Sequence, residues 1–136
     1  LSLTVGSCCR LIEVHLKFKL LPETLFLTVN LIDRYLSTSN IYRNKLQLVG
    51  VTAMLIASKY EEIYPPIVSD FVYITDNAYT REEILRMEER MLTTLQFGIH
   101  FTSPYRFLER FLALKNASET EKNVALFMLE GTMIQY

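Results

Sequence analysis

The sequence LQLVGVTAMLIASKYEEIYPP occupies residues 46–66. On a helix its apolar residues cover most of the circumference, which is typical of a helix that packs against neighbours on several sides. Small residues recur along one face, at Gly50, Ala53 and Ala57, and they allow neighbouring helices to approach closely. Two consecutive prolines prevent the helix from continuing. The stretch therefore predicts a central helix, from about residue 43 to residue 62, around which the domain packs.

Helical signals continue on both sides of this stretch. Prolines stand near the first position of two predicted helices, and Thr80 with Glu83 forms a Ser/Thr-x-x-Glu capping signal before another. Strand signals are nearly absent, so we predict an all-α fold. We expect four residues of the fifth helix to face the core: Phe107, Leu108, Phe111 and Leu112. The predicted helices cover residues 9–19, 22–36, 43–62 and 81–96, with two more beginning near residues 104 and 118, and the segment 67–73 has no assigned structure.

The composition argues against several classes of function. With 14 basic and 15 acidic residues interspersed, the formal charge is -1, so we expect neither nucleic acid nor a membrane as partner. The longest apolar run is too short to span a bilayer. Cys8 and Cys9 are adjacent and His15 and His100 lie far apart, so we predict no disulfide framework, no metal site and no cofactor. Without a phosphate loop or nucleophile signature, the chain is not expected to be an enzyme.

Three ionisable residues lie on apolar helical stripes, where a charge needs a partner. We interpret Asp33 as a buried structural acid that is hydrogen-bonded or ion-paired inside the fold. Lys59 either extends its ammonium group into water or acts in binding. Glu88 has no arginine three or four residues away on its own helix. A Lys59–Glu88 pair beside a groove could instead hold a helix of another protein.

Several stretches together resemble the cyclin box of A- and B-type cyclins. The resemblance is strongest at residues 46–66, and it extends to LIDRYL (31–36), FVYITDNAYT (71–80) and LRME (85–88). VHLKF, at residues 14–18, is closer to the B type. The resemblance implies a five-helix cyclin fold over residues 11–116, followed at residues 117–136 by the first helix of an incomplete second cyclin fold.

The family resemblance also implies a function. The chain would be a regulatory subunit that binds and activates a cyclin-dependent protein kinase in G2/M control. It would act in the nucleus and cytoplasm. The residues matching Lys59 and Glu88 would contact the regulatory helix of the kinase. Apolar contacts would come from the residues matching Ile56, Tyr60, Leu92, Phe97 and Ile99. The alternatives are a cyclin-fold adaptor that activates no kinase, or an inactive fragment.

The first ten residues depart from the family pattern. Residues 3–10 read LTVGSCCR where the family has Met-Arg-Ala-Ile-Leu-x-Asp-Trp. The family's arginine pairs with the acid matching Asp33, so a buried Asp33 would lack its partner here, at a cost of roughly 3–5 kcal/mol. The same segment forms much of a docking patch for substrate peptides, of which Glu13, Leu46 and Gln47 match the remainder. We therefore expect weak substrate docking.

Overall fold

The computed structural model describes the backbone of residues 5–134 and the side chains of residues 10–133. Cys8, Cys9 and most of the divergent start at residues 1–10 lie outside the described side chains. Between residues 5 and 134 the regular structure is helical, with no strand, as the all-α prediction requires. The α-helices in chain order are α1 (Val5–Phe18), α2 (Pro22–Thr38), α3 (Leu46–Glu61), α4 (Val68–Ile74), α5 (Arg81–Thr94), α6 (Pro104–Lys115) and α7 (Glu119–Ile134). A short 3-10 helix, Arg43–Lys45, leads directly into α3.

Helix α3 lies at the centre of the fold, as its all-round apolar pattern predicts. Helices α1, α2, α4 and α5 all pack against it, and its residues from Leu48 to Ser58 are buried without interruption. A Cβ atom on Gly50 would lie 3.3 Å from Leu11 Cδ2 of α1. The missing side chain thus allows α1 to approach α3 closely, which confirms the predicted role of this glycine.

Helix α2 begins at the predicted proline, and its start is joined to the end of α3. No side chain of the preceding residue caps it. Instead, Glu62 at the end of α3 accepts hydrogen bonds from the Leu21 amide at 2.7 Å and from Thr24 Oγ1 at 2.6 Å. One carboxylate therefore binds the amide of the residue before α2 and a hydroxyl of its first turn, and so joins the start of α2 to the end of the central helix.

Helix α5 begins with the predicted capping box. Thr80 Oγ1 accepts from the Glu83 amide at 3.2 Å, and the Thr80 amide donates to Glu83 Oε2 at 2.9 Å. These reciprocal bonds satisfy two amides that have no partner within the helix. Because this start is defined locally, it also defines where Glu88, two turns later, points.

Two details of the fold differ from the sequence-based expectations. The unassigned segment before residue 74 forms α4, whose Phe71 is fully buried and meets Phe18 of α1 edge-to-face at 5.1 Å. The expectation that Phe107 and Phe111 face the core is wrong, since they are 56% and 65% exposed. An apolar stripe shows that a helix is amphipathic, but not that this part of the chain covers every residue of the stripe.

Helix α7 packs against α1 and α6. Met133, near its end, contacts the edge of the main core. Other residues of its apolar stripe, including Val124 and Phe127, remain exposed. The division of the chain at residues 116 and 117 stays a prediction. No helix in the described part of the chain is both long and apolar enough to cross a membrane.

Candidate functional site

The candidate site is centred on an ion pair between α3 and α5. Lys59 lies in the last turn of α3, and Glu88 lies in the middle of α5. Lys59 Nζ is 2.8 Å from Glu88 Oε1 and 3.0 Å from Glu88 Oε2, so the ammonium group contacts both carboxylate oxygens. The two charges that the sequence analysis singled out, 29 residues apart, are therefore brought together by the packing of α5 on α3.

The two partners are exposed to different extents. The Glu88 side chain is 14% exposed, whereas that of Lys59 is 47% exposed. The carboxylate is thus held between the helices, and the ammonium group lies above it with hydrogen-bond donors available to water or to a ligand. The ammonium and carboxylate groups can give up part of their bonding to each other and bind instead to the backbone at the end of another helix. Its role in binding stays a prediction.

The predicted apolar residues around the pair differ in burial. Tyr60, next to Lys59, is 50% exposed, while Ile56, one turn earlier, is buried in the core. Leu92 follows Glu88 by one turn of α5 and is half-buried. Ile56 is therefore part of the core beneath Lys59 in the unbound chain, and Tyr60 and Leu92 offer surface.

Phe97 and Ile99 lie on the segment that follows α5. Phe97 is 68% exposed and Ile99 is half-buried. The Phe97 amide donates to the Leu92 carbonyl at 2.9 Å, which keeps Phe97 beside the end of α5. Gln96 and Phe97 have φ values of 52° and 56°, in the left-handed region. This conformation costs a non-glycine residue about 1–2 kcal/mol, so the surrounding contacts must hold it.

Arg34 of α2 supplies one of those contacts, although it was not among the residues predicted to form the site. Its Nη1 atom donates to the carbonyl oxygen of Gly98 at 2.6 Å. The two residues are 64 positions apart, so no local pattern links them. The only available signal was that Arg34 follows Asp33 in the LIDRYL stretch.

The interpretation of Asp33 as a buried structural acid is wrong for this structure. Its side chain is exposed on α2, and it has no hydrogen bond or ion pair with the side chains of residues 10–133. The atoms around it remove part of its hydration, and this desolvation raises the pKa of Asp33. Its position between Val29 and Leu36 suggested burial, but the helix turns the carboxylate outward.

The three residues that match part of the family's peptide-docking patch lie on α1 and at the start of α3. Glu13 and Gln47 are exposed, and Leu46 is half-buried. The contact of Leu11 with Gly50 brings these two helices together. No hydrogen bond links Glu13 to Leu46 or Gln47 within the described side chains, so their joint role stays a prediction.

Comparison with known proteins gives consistent results. The family model described as "Cyclin, N-terminal domain" matches residues 8–100. The chain is 52% identical over 126 residues to "G2/mitotic-specific cyclin-2" of Medicago sativa, covering 93% of this chain and 38% of that protein. It is 54% identical over 126 residues to "Cyclin-B2-1" of Arabidopsis thaliana, covering 93% of this chain and 29% of that protein. The chain thus spans about a third of the length of these relatives.

The fold is also similar to a solved structure. The X-ray structure of a viral cyclin from herpesvirus saimiri superposes with a TM-score of 0.84 at 22% sequence identity. The match covers 98% of this chain and 62% of the viral protein. At this low identity the similarity concerns the arrangement of helices, and it agrees with the fold expected from the sequence.

Proposed function

Because the chain belongs to the cyclin family and is similar to its B-type members, we propose that it binds and activates the catalytic subunit of a cyclin-dependent protein kinase. Its role is regulatory and belongs to G2/M control, in the nucleus and cytoplasm. The chain performs no catalysis itself. The kinase and the chain form a heterodimer in which the kinase carries out phosphoryl transfer.

The Lys59–Glu88 pair is the observation that carries this proposal. It lies between α3 and α5, with exposed Tyr60 on one side and Phe97 at the end of α5. A fixed pair of opposite charges next to apolar side chains suits the end of a helix, whose backbone has unpaired polar groups and whose side chains need apolar cover. The regulatory helix of a protein kinase is such an element, and its inward position completes the Lys–Glu ion pair of the active kinase.

Activation follows from preferential binding to one conformation of the kinase. A ligand shifts a two-state equilibrium only by its difference in affinity for the two states. Each tenfold shift in population requires about 1.4 kcal/mol of differential affinity. The chain thus activates the kinase by the contacts that it makes only when the regulatory helix lies inward.

The proposal is tested by mixing the purified chain with a panel of cyclin-dependent kinase catalytic subunits and measuring phosphoryl transfer to a peptide. We expect the wild-type chain to stimulate at least one subunit. Lys59→Ala and Glu88→Ala should each reduce this stimulation by about tenfold or more, because each removes a charged contact that is desolvated on binding.

The chain offers a matched control pair. Lys115 and Glu121 form an ion pair of similar length, 2.9 Å, between α6 and α7. Lys115→Ala and Glu121→Ala should leave the stimulation unchanged. Binding without stimulation by the wild-type chain would favour an adaptor, and equal losses in both pairs of variants would contradict the assignment of the site.

A further inference from the structure

The segment between α5 and α6 has a strained backbone that its own side chains stabilise only in part, since Ile99 packs against the edge of the core but Phe97 does not. It passes through two consecutive residues with left-handed backbone, Gln96 and Phe97. The Phe97 ring, which could have anchored it by packing, is 68% exposed. The strain of these two residues must therefore be offset by backbone contacts and by other helices.

The backbone amides of residues 96–99 all donate to α5, to Leu95 directly after it, or within the segment. The amides of Gln96, Phe97 and Gly98 donate to the carbonyl oxygens of Thr93, Leu92 and Leu95, at 3.0, 2.9 and 3.0 Å. The Ile99 amide donates to the Phe97 carbonyl at 2.9 Å. These bonds close the end of α5, but they do not attach the segment to another helix.

Arg34 provides the attachment to α2. Its bond to the Gly98 carbonyl, at 2.6 Å, is a charge-assisted hydrogen bond. A Cβ atom on Gly98 would lie 3.3 Å from Arg34 Nη2, so glycine leaves room for the guanidinium group. Asp33, beside it on α2, forms no ion pair with it. The Arg34 guanidinium therefore faces the segment that carries Phe97 and Ile99.

We propose that Arg34 is a positioning residue for kinase binding: it holds residues 96–99 in the conformation that presents Phe97 and Ile99 at the end of α5, the helix that carries Glu88. This inference rests on the proposed function. Arg34 acts from α2, through the Gly98 carbonyl, and need not touch the kinase. Without this bond the segment keeps its attachment to α5 but can relax out of the left-handed conformation.

The first test measures the segment in the free chain, with no kinase present. Amide hydrogen exchange is compared between the wild type and Arg34→Gln. We expect the amides of Phe97, Gly98 and Ile99 to exchange at least about tenfold faster in the variant, while the amides of α3 keep their protection. Unchanged exchange at these three amides would overturn the inference. Arg110→Gln, which removes an exposed arginine of α6, is the matched control.

The second test measures affinity for a kinase subunit that the wild-type chain binds. We expect Arg34→Gln to weaken binding by about tenfold, equivalent to about 1.4 kcal/mol, and Arg110→Gln to leave it unchanged. If Arg34 acts through Phe97, adding Arg34→Gln to Phe97→Ala should weaken binding by less than about twofold further. An equal tenfold loss in the Phe97→Ala background would show that Arg34 acts elsewhere and would overturn the inference.

The two tests separate this inference from the proposed function. If no kinase subunit binds the wild-type chain, the proposed function fails, and hydrogen exchange alone decides whether Arg34 holds the segment. If the kinase binds the wild type and both Arg34→Gln measurements are unchanged, the proposed function stands and the positioning role is wrong. A purely structural role would lower affinity and global stability together, whereas positioning lowers affinity while α3 keeps its protection.

Discussion

The Lys59–Glu88 pair should stabilise the free chain only slightly, and its two partners should contribute unequally. We consider Lys59→Ala, Glu88→Ala and the double variant in the absence of kinase. Two unit charges 2.8 Å apart attract by about 1.5 kcal/mol in bulk water and by about 6 kcal/mol at an effective dielectric constant of 20. Because the Lys59 side chain is 47% exposed, screening and the loss of side-chain freedom offset most of this attraction. We expect a coupling free energy of about 1 kcal/mol.

The unequal burial of the pair predicts which single variant is less stable. The Glu88 side chain is only 14% exposed. Lys59→Ala therefore leaves a mostly buried carboxylate without its cation, and should lower the free energy of unfolding by about 1–3 kcal/mol. Glu88→Ala frees an ammonium group that water can reach, and should cost less than about 1 kcal/mol.

Urea denaturation followed by far-UV circular dichroism measures these differences for the four chains of the cycle. The dependence of the free energy of unfolding on urea concentration should be the same in all four, since the buried area changes little. Added salt should reduce the coupling because one partner is half exposed. A coupling free energy above about 3 kcal/mol, or a greater loss of stability in Glu88→Ala than in Lys59→Ala, would refute this reasoning. Either result would identify the pair as a structural element of the core.

Three further variants test the fold. In the folded chain the pKa of Asp33 is raised by desolvation, so the stability that this group contributes is lost as pH rises through its folded-state pKa. Asp33→Asn should therefore be as stable as wild type or slightly more stable at neutral pH. If urea denaturation shows that Asp33→Asn loses about 3–5 kcal/mol of unfolding free energy, the buried-acid interpretation is restored. Phe71→Ala removes a fully buried ring that contacts Phe18 and should cost about 3–5 kcal/mol in the same assay; a loss below about 1 kcal/mol would contradict the packing of α4. Thr80→Ala removes the cap of α5 and should lower the free energy of unfolding by about 1 kcal/mol. The control Thr93→Ala, on the same helix, should lower it by less than about 0.5 kcal/mol. Equal losses in the two variants would contradict the capping role of Thr80.

The long helices and half of the candidate site could be predicted because their signals are local or follow from a general cost. Thr80 with Glu83 marks the start of α5 through bonds between residues three apart. Lys59 and Glu88 stood out because a charge on an apolar stripe needs a partner, and Glu88 lacked one three or four residues away on its own helix. Arg34 could not be found in this way. Its bond is to a backbone carbonyl, which every residue has, 64 positions away.

The sequence by itself determined that the chain is helical, where most helices begin, and which stretch lies at the centre. These features depend on periodicity, prolines and caps, which act over a few residues. Only the tertiary structure decided that Asp33 is exposed, that Phe107 and Phe111 lie outside the core, and that Arg34 reaches Gly98. The physical reason is that a helix pattern defines the angle between side chains around one axis, while burial and long-range contacts depend on the rotation of each helix against the others.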